Sequence, residues 1–111
     1  MVAELTVPAW TFLTNHGQVL VCIARDPGVR LREIGQRVGI TERAAHRLVT
    51  ELAAGGYITV QRNGRRNQYT VNPQLPLPDA IAREQNVGEL LEILTATREP
   101  APKSGRSGAN D

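Results

Sequence analysis

A single cysteine, Cys22, stands in this sequence. No disulfide can therefore form within the chain, and a small domain without that staple fits a reducing compartment. Cys22 lies in an apolar helical stretch with no neighbouring base to lower its pKa, which favours a buried structural thiol over a redox sensor. Histidine is almost as scarce. His16 and His46 lie 30 positions apart with no metal-ligand spacing between them, so no metal site is expected. No nucleophile–base pair, phosphate loop or carboxylate pair stands out, and the expectation is a protein that is not an enzyme and needs no cofactor. Long apolar runs are missing as well. The longest, Val19 to Ala24, is too short to span a bilayer, and no basic segment precedes it as in a signal peptide. The reading is a cytoplasmic chain with no membrane partner. Lysine is nearly absent: twelve of the thirteen basic residues are arginine. Arginine suits bidentate contacts to phosphate or guanine, and is equally what a GC-rich coding bias produces.

The formal net charge of +2 is modest until it is mapped onto the sequence. Residues 25–70 contain nine arginines and four acids, a net of +5, whereas residues 71–111 carry a net of −2. A positive middle segment in a small chain points to a polyanionic partner.

The same segment has the clearest local pattern. Leu31, Ile34 and Val38 recur at helical spacing, Gly39 breaks the run at low steric cost, and Thr41 can cap a second helix. That helix, expected from Thr41 to about Ala54, puts Ala45, Leu48, Val49 and Leu52 on one face and Arg43, His46, Arg47 and Thr50 on the other. Gly35 costs about 1 kcal/mol of helix propensity, so its use is steric: it lets the next helix cross closely. Gly55-Gly56 ends the helix. Tyr57–Arg62 and Gln68–Val71 then read as two strands joined by a loop containing Asn63-Gly64, a strong hairpin signal. A helix with a buried seam and a basic, hydrogen-bonding outer face, followed by a basic hairpin, is what reading a DNA major groove requires.

Around this core the pattern is plainer. Trp10, Phe12 and Leu13 form a small apolar cluster, either a short strand or a lead-in to the first helix. That helix is expected from an Asn15 N-cap to about Arg25, apolar almost all round and central to the core. Asp26-Pro27-Gly28 ends it, and Val29–Leu31 is a candidate short strand beside the hairpin. Three prolines between Asn72 and Pro78 break regular structure. A last helix is expected from Pro78 or Asp79 to Arg98, with an interruption near Asn86-Val87-Gly88. Val87, Leu90, Leu91 and Leu94 form its apolar stripe, with Ile81 as an earlier contributor. From Glu99 the Pro-, Gly- and Ser-rich composition predicts disorder.

The order of these features resembles the small winged-helix transcription regulators related to the MarR and ArsR groups. The resemblance covers about residues 14–72. It rests on Gly35, Gly39-Ile40, Ala45 and Leu48 at helix-turn-helix spacing, and on Tyr57-Ile58, Arg62, Gly64-Arg65 and Tyr69-Thr70-Val71 in the wing. It implies a mainly α fold with a small β-hairpin, a third helix in the major groove, a wing on the backbone or in the minor groove, and a homodimer on a roughly palindromic operator. Two departures stand out. Typical MarR proteins carry extended terminal helices that build the dimer and a ligand pocket, whereas here there is room for one such helix, residues 79–98. Metal-sensing ArsR proteins carry Cys or His clusters that are missing here. Neither ligand nor metal sensing carries over, and the effector is unknown.

The expected organisation is a DNA-binding winged-helix domain with its lead-in over residues 1–72, a proline-rich connection and dimerisation helix over 73–98, and a tail over 99–111. The candidate DNA contacts are Arg32, Thr41, Arg43, His46, Arg47, Thr50, Arg62, Arg65 and Arg66, with Arg30 a further backbone candidate. Thr41 is first a cap, and Glu42 is first a dipole partner at a helix N-terminus. Val87, Leu90, Leu91 and Leu94 are the candidate dimer contacts, with Trp10 and Phe12 either joining them or covering the core. The function so read is a dimeric, sequence-specific DNA-binding repressor. The alternatives are a winged helix that docks proteins and a nonspecific chromosome-binding protein.

Overall fold

The computed structural model describes residues 7–96. The expected disordered tail and the last residues of the expected C-terminal helix lie outside them. The elements in chain order are α1 (Asn15–Arg25), α2 (Leu31–Val38), α3 (Glu42–Ala54), β1 (Ile58–Asn63), β2 (Arg66–Val71), one 3-10 turn (Ala80–Ala82) and α4 (Val87–Thr95). Three helices followed by an antiparallel hairpin form a winged helix-turn-helix, as the spacing predicts.

Helix α1 is the hub. Its Val19, Leu20, Cys22 and Ile23 are buried, and it packs against α2, α3, α4 and β2. Thr14, not Asn15, caps it: the Thr14 hydroxyl accepts from the Gly17 N–H. Both residue types can cap, and Asn15 is instead the first residue of the helix. Ile34 from α2, Ala45, Leu48, Val49 and Leu52 from α3, Ile58 and Tyr69 from the hairpin, and Val87 and Leu91 from α4 complete the core with Val29.

The turn between α2 and α3 depends on Gly35. A Cβ there would lie 2.7 Å from the Ile40 carbonyl oxygen. The close neighbour is thus the backbone of the turn, rather than the body of the next helix. Gly39 closes α2 in the left-handed region, and the Thr41 hydroxyl accepts from the Ala44 N–H to start α3.

The wing pairs Ile58 with Val71 through Asn63 with Arg66. Asn63 is therefore the last paired residue, and the turn is Gly64-Arg65, one position later than the Asn-Gly signal suggests. Gly64 takes φ +69°, and a positive φ at the first central position matches the turn to the strand twist. Only the base of the hairpin is buried, at Ile58 and Tyr69; the rest of β1 is exposed.

Two expected elements differ. Val29–Leu31 is not a strand; one backbone hydrogen bond, from the Tyr69 N–H to the Pro27 carbonyl, ties β2 to this loop. The reason is length: Val29 closes the Asp26 turn by donating to its carbonyl, and Arg30 is already the N-cap of α2. The C-terminal helix starts at Val87 rather than at Pro78 or Asp79. Asn86 and Glu89 form a reciprocal capping box, each side chain accepting the other's backbone N–H, which terminates the helix in the N-terminal direction. Before it, the chain folds back on itself. Leu77 donates to the Gln85 carbonyl and Val87 to the Leu75 carbonyl. Ile81 accordingly leaves the apolar stripe and is 98 % exposed.

Candidate nucleic-acid interface

Helix α3 buries Ala45, Leu48, Val49 and Leu52, so a 100° step per residue turns Arg43, His46, Arg47 and Thr50 outward; all four are exposed. This face is bounded by one acid on each edge, Glu42 and Glu51. Thr41 is also exposed at the helix start, with its hydroxyl engaged in the cap.

On the Glu42 side lies an open cleft of about 530 Å³, lined by the loop before α2, the start of that helix and the wing. Arg30, Arg32, Arg65 and Arg66 all line it, with Glu42 at its edge. Arginines separated by more than 30 positions in sequence thus meet around one concavity. Their freedom differs. Arg66 does not project from the wing; it folds back to donate to the Gly28 carbonyl at 2.7 Å. Arg62 bends toward its own turn, with Nε donating to the Gly64 carbonyl at 3.3 Å. Arg65 sits at the turn itself and is exposed.

On the Glu51 side the surroundings are apolar. The Glu51 carboxylate accepts from His16 Nε2 at 2.6 Å and from Arg47 Nη1 at 3.2 Å. The His16 hydrogen bond, followed by the Arg47 contact, holds the Glu51 carboxyl below its ordinary range. His16 and Glu51 also line a second hollow of about 420 Å³, whose other walls include Phe12, Leu20, Leu77 and Leu90.

The candidate dimer residues are divided by the structure. Val87 and Leu91 are buried in the domain's own core, against α1, while Leu90 and Leu94 are half-buried. The Arg25 guanidinium fastens this helix by donating to the Leu94 carbonyl at 2.8 Å. Trp10 and Phe12 do not cover the core: they stack edge to face, 5.3 Å between centroids, and remain 62 % and 93 % exposed. Sequence reasoning missed Glu51, the role of His16 and that of Arg25. Only the i,i+4 spacing of Arg47 and Glu51 was a usable signal.

Among the described residues, no group of three or more His, Cys, Asp or Glu side chains is placed to hold a metal ion. No described helix is long and apolar enough to cross a membrane. Burial pushes the Cys22 thiol above its ordinary pKa, the opposite of what an activated thiolate needs.

Comparison with protein families decides the identity of this scaffold. Residues 11–66 match the profile of the MarR family, from the lead-in through α1, α2, α3 and β1 to the start of β2. The chain belongs to the MarR family. It is accordingly a DNA-binding transcription regulator with a winged helix-turn-helix. No curated protein matches the sequence. The MarR-family match ends at Arg66, before α4, so the C-terminal helix lies outside the matched segment.

Proposed function

We propose that this MarR-family regulator is a homodimeric, sequence-specific repressor acting in the cytoplasm. Helix α3 enters the major groove, and the arginine-lined cleft follows the adjoining phosphates. The observation that carries this reading is the continuity of the two surfaces. The exposed Arg43, His46, Arg47 and Thr50 face adjoins, across Glu42, the cleft of Arg30, Arg32, Arg65 and Arg66. Side chains on the helix supply donors for base edges, and the cleft supplies cations for the backbone. Within the wing, Arg65 is the principal phosphate contact, because Arg66 and Arg62 already donate to carbonyls.

A domain this small gains reach by pairing, since two copies present their α3 helices about 34 Å apart, one turn of DNA. Val87 and Leu91 serve the internal core. The dimer contact therefore falls to Leu90 and Leu94, joined by the 68 % exposed Ile93. A dimer seated over a promoter excludes polymerase sterically, hence repression.

The test is a salt series by fluorescence anisotropy on random-sequence duplex and on the duplex enriched from a random pool. A steep salt slope on both, with tighter binding to the enriched duplex, is expected. Equal affinity for both duplexes would indicate nonspecific chromosome binding. A negligible slope would indicate a protein-docking module.

A further inference from the structure

We propose that Glu51, anchored by His16, is a positioning residue that sets how Arg47 meets the groove and so contributes to base discrimination. The inference rests on the placement of α3 in the major groove given above.

The geometry divides the two oxygens of one carboxylate between two helices. Oε1 meets His16 Nε2 at 2.6 Å, and Oε2 meets Arg47 Nη1 at 3.2 Å. His16 lies in the first turn of α1, 35 residues from Glu51. Helix α1 is held against α3 by the buried core, so the backbone that carries the half-exposed imidazole is fixed relative to Glu51. A Glu–Arg pair on one helix wanders, because both side chains have many rotamers. With Oε1 pinned from a second helix, Oε2 is offered to Arg47 in one place. The interaction uses one of the five N–H donors of the guanidinium and leaves the others for a base edge.

The physical consequence concerns selectivity more than strength. A free arginine beside DNA takes the nearest phosphate, which is present at every sequence. An arginine restrained by a carboxylate is held off the phosphates and retains the planar donor pair that reads guanine. The carboxylate remains ionised at neutral pH, because His16 and Arg47 together favour its charged form. His16 and Glu51 are about half exposed and Arg47 is more exposed still, so the contribution of both pairs to folding is small.

The experiment measures binding of two duplexes, one selected from a random pool by the native protein and one of scrambled sequence. Glu51→Gln keeps the shape and removes the charge. It is expected to lower the selected-to-scrambled affinity ratio by about three- to fivefold, the scale of an exposed ion pair, with only a small change in the thermal midpoint. In an Arg47→Ala background the same substitution is expected to leave the ratio unaltered. His16→Gln, which can still donate to Glu51, should retain the ratio, whereas His16→Phe should lose it. A Glu51→Gln effect that persists without Arg47 overturns the proposal, since it would then be a general charge effect. So does a native-like ratio in Glu51→Gln. Arg47→Ala alone separates the two levels. If it weakens both duplexes equally, Arg47 is a phosphate anchor, and the base-reading assignment fails together with the positioning role. If it costs discrimination while Glu51→Gln does not, only the positioning role fails.

Discussion

Helix α3 is flanked by two hollows of similar size and opposite chemistry. On one side, about 530 Å³ is lined by Arg30, Arg32, Arg65 and Arg66. On the other, about 420 Å³ is lined mostly by apolar side chains such as Phe12, Leu20, Leu52 and Leu90. The cationic side is built from the loop before α2 and the wing, both within the segment of net +5 charge. The apolar side is built from the lead-in, the fold-back after the wing and α4, segments from both ends of the described chain. The difference teaches that one helix serves two surfaces. Cations left solvated on one flank are available to a polyanion, whereas an open apolar flank gains free energy only when covered. The acids at the two edges of α3 follow the same division, Glu42 beside the arginines and Glu51 beside the apolar hollow.

The largest expected effect lies on the apolar flank. Leu91 is 7 % exposed within the domain core, so Leu91→Ala should destabilise the fold by about 2–5 kcal/mol in urea denaturation. The half-buried pair behaves differently. Leu90→Glu with Leu94→Glu is expected to give a folded monomer by circular dichroism and light scattering, with much weaker operator binding, because unpartnered charge disrupts an apolar interface. A double mutant that stays dimeric moves the contact to Trp10 and Phe12. One that unfolds assigns the whole stripe to the core.

The next comparison is within the cationic flank. Arg66→Ala removes the guanidinium bond to the Gly28 carbonyl and should cost about 0.5–1.5 kcal/mol of stability. Arg65→Ala should stay within about 0.5 kcal/mol of the native protein, yet lower the salt slope of DNA binding by about 1. Equal stability losses for the two would mean that the wing is held in some other way.

The smallest effect is in the pH dependence. Burial raises the Cys22 thiol above its ordinary value of 9.0. Its contribution is therefore complete below that value and is lost as pH rises further, because the unfolded thiol ionises first. Glu51 is shifted the other way, from an ordinary 4.5, so its contribution is present at neutral pH and is lost as acid protonates the folded carboxylate. Denaturation midpoints across pH should show both limbs. Cys22→Ala should flatten the alkaline one, and Glu51→Gln the acid one.

Much of this was legible before any fold was known, and the legible part is local. Thr41 caps α3 because its hydroxyl reaches an N–H three residues on. Gly35 and Gly39 mark a tight turn because a Cβ would collide at the first and the left-handed region is needed at the second. The apolar period of α3 decides which arginines face out. Capping, turn chemistry and helical period all act within a few residues, so a linear reading captures them. The exceptions were local competitions with close rivals: Thr14 against Asn15, the wing turn at Gly64-Arg65 against Asn63-Gly64, the α2 N-cap at Arg30 against a strand at Val29–Leu31, and the capping box at Asn86 against a helix begun near Pro78.

Tertiary structure alone decided the rest, through contacts between residues far apart in the chain. Arg66 is turned inward by a carbonyl 38 residues away, Glu51 is anchored by an imidazole 35 residues away, and Arg25 fastens α4 from 69 residues away. The stripe of Val87, Leu90, Leu91 and Leu94 has the right spacing for any apolar neighbour, and the sequence by itself does not say which. Packing against α1 took Val87 and Leu91 for the core. Composition and period determine that a cationic helix face and an apolar stripe exist. Which side chains remain free to use them depends on the partners that only the folded chain brings within reach.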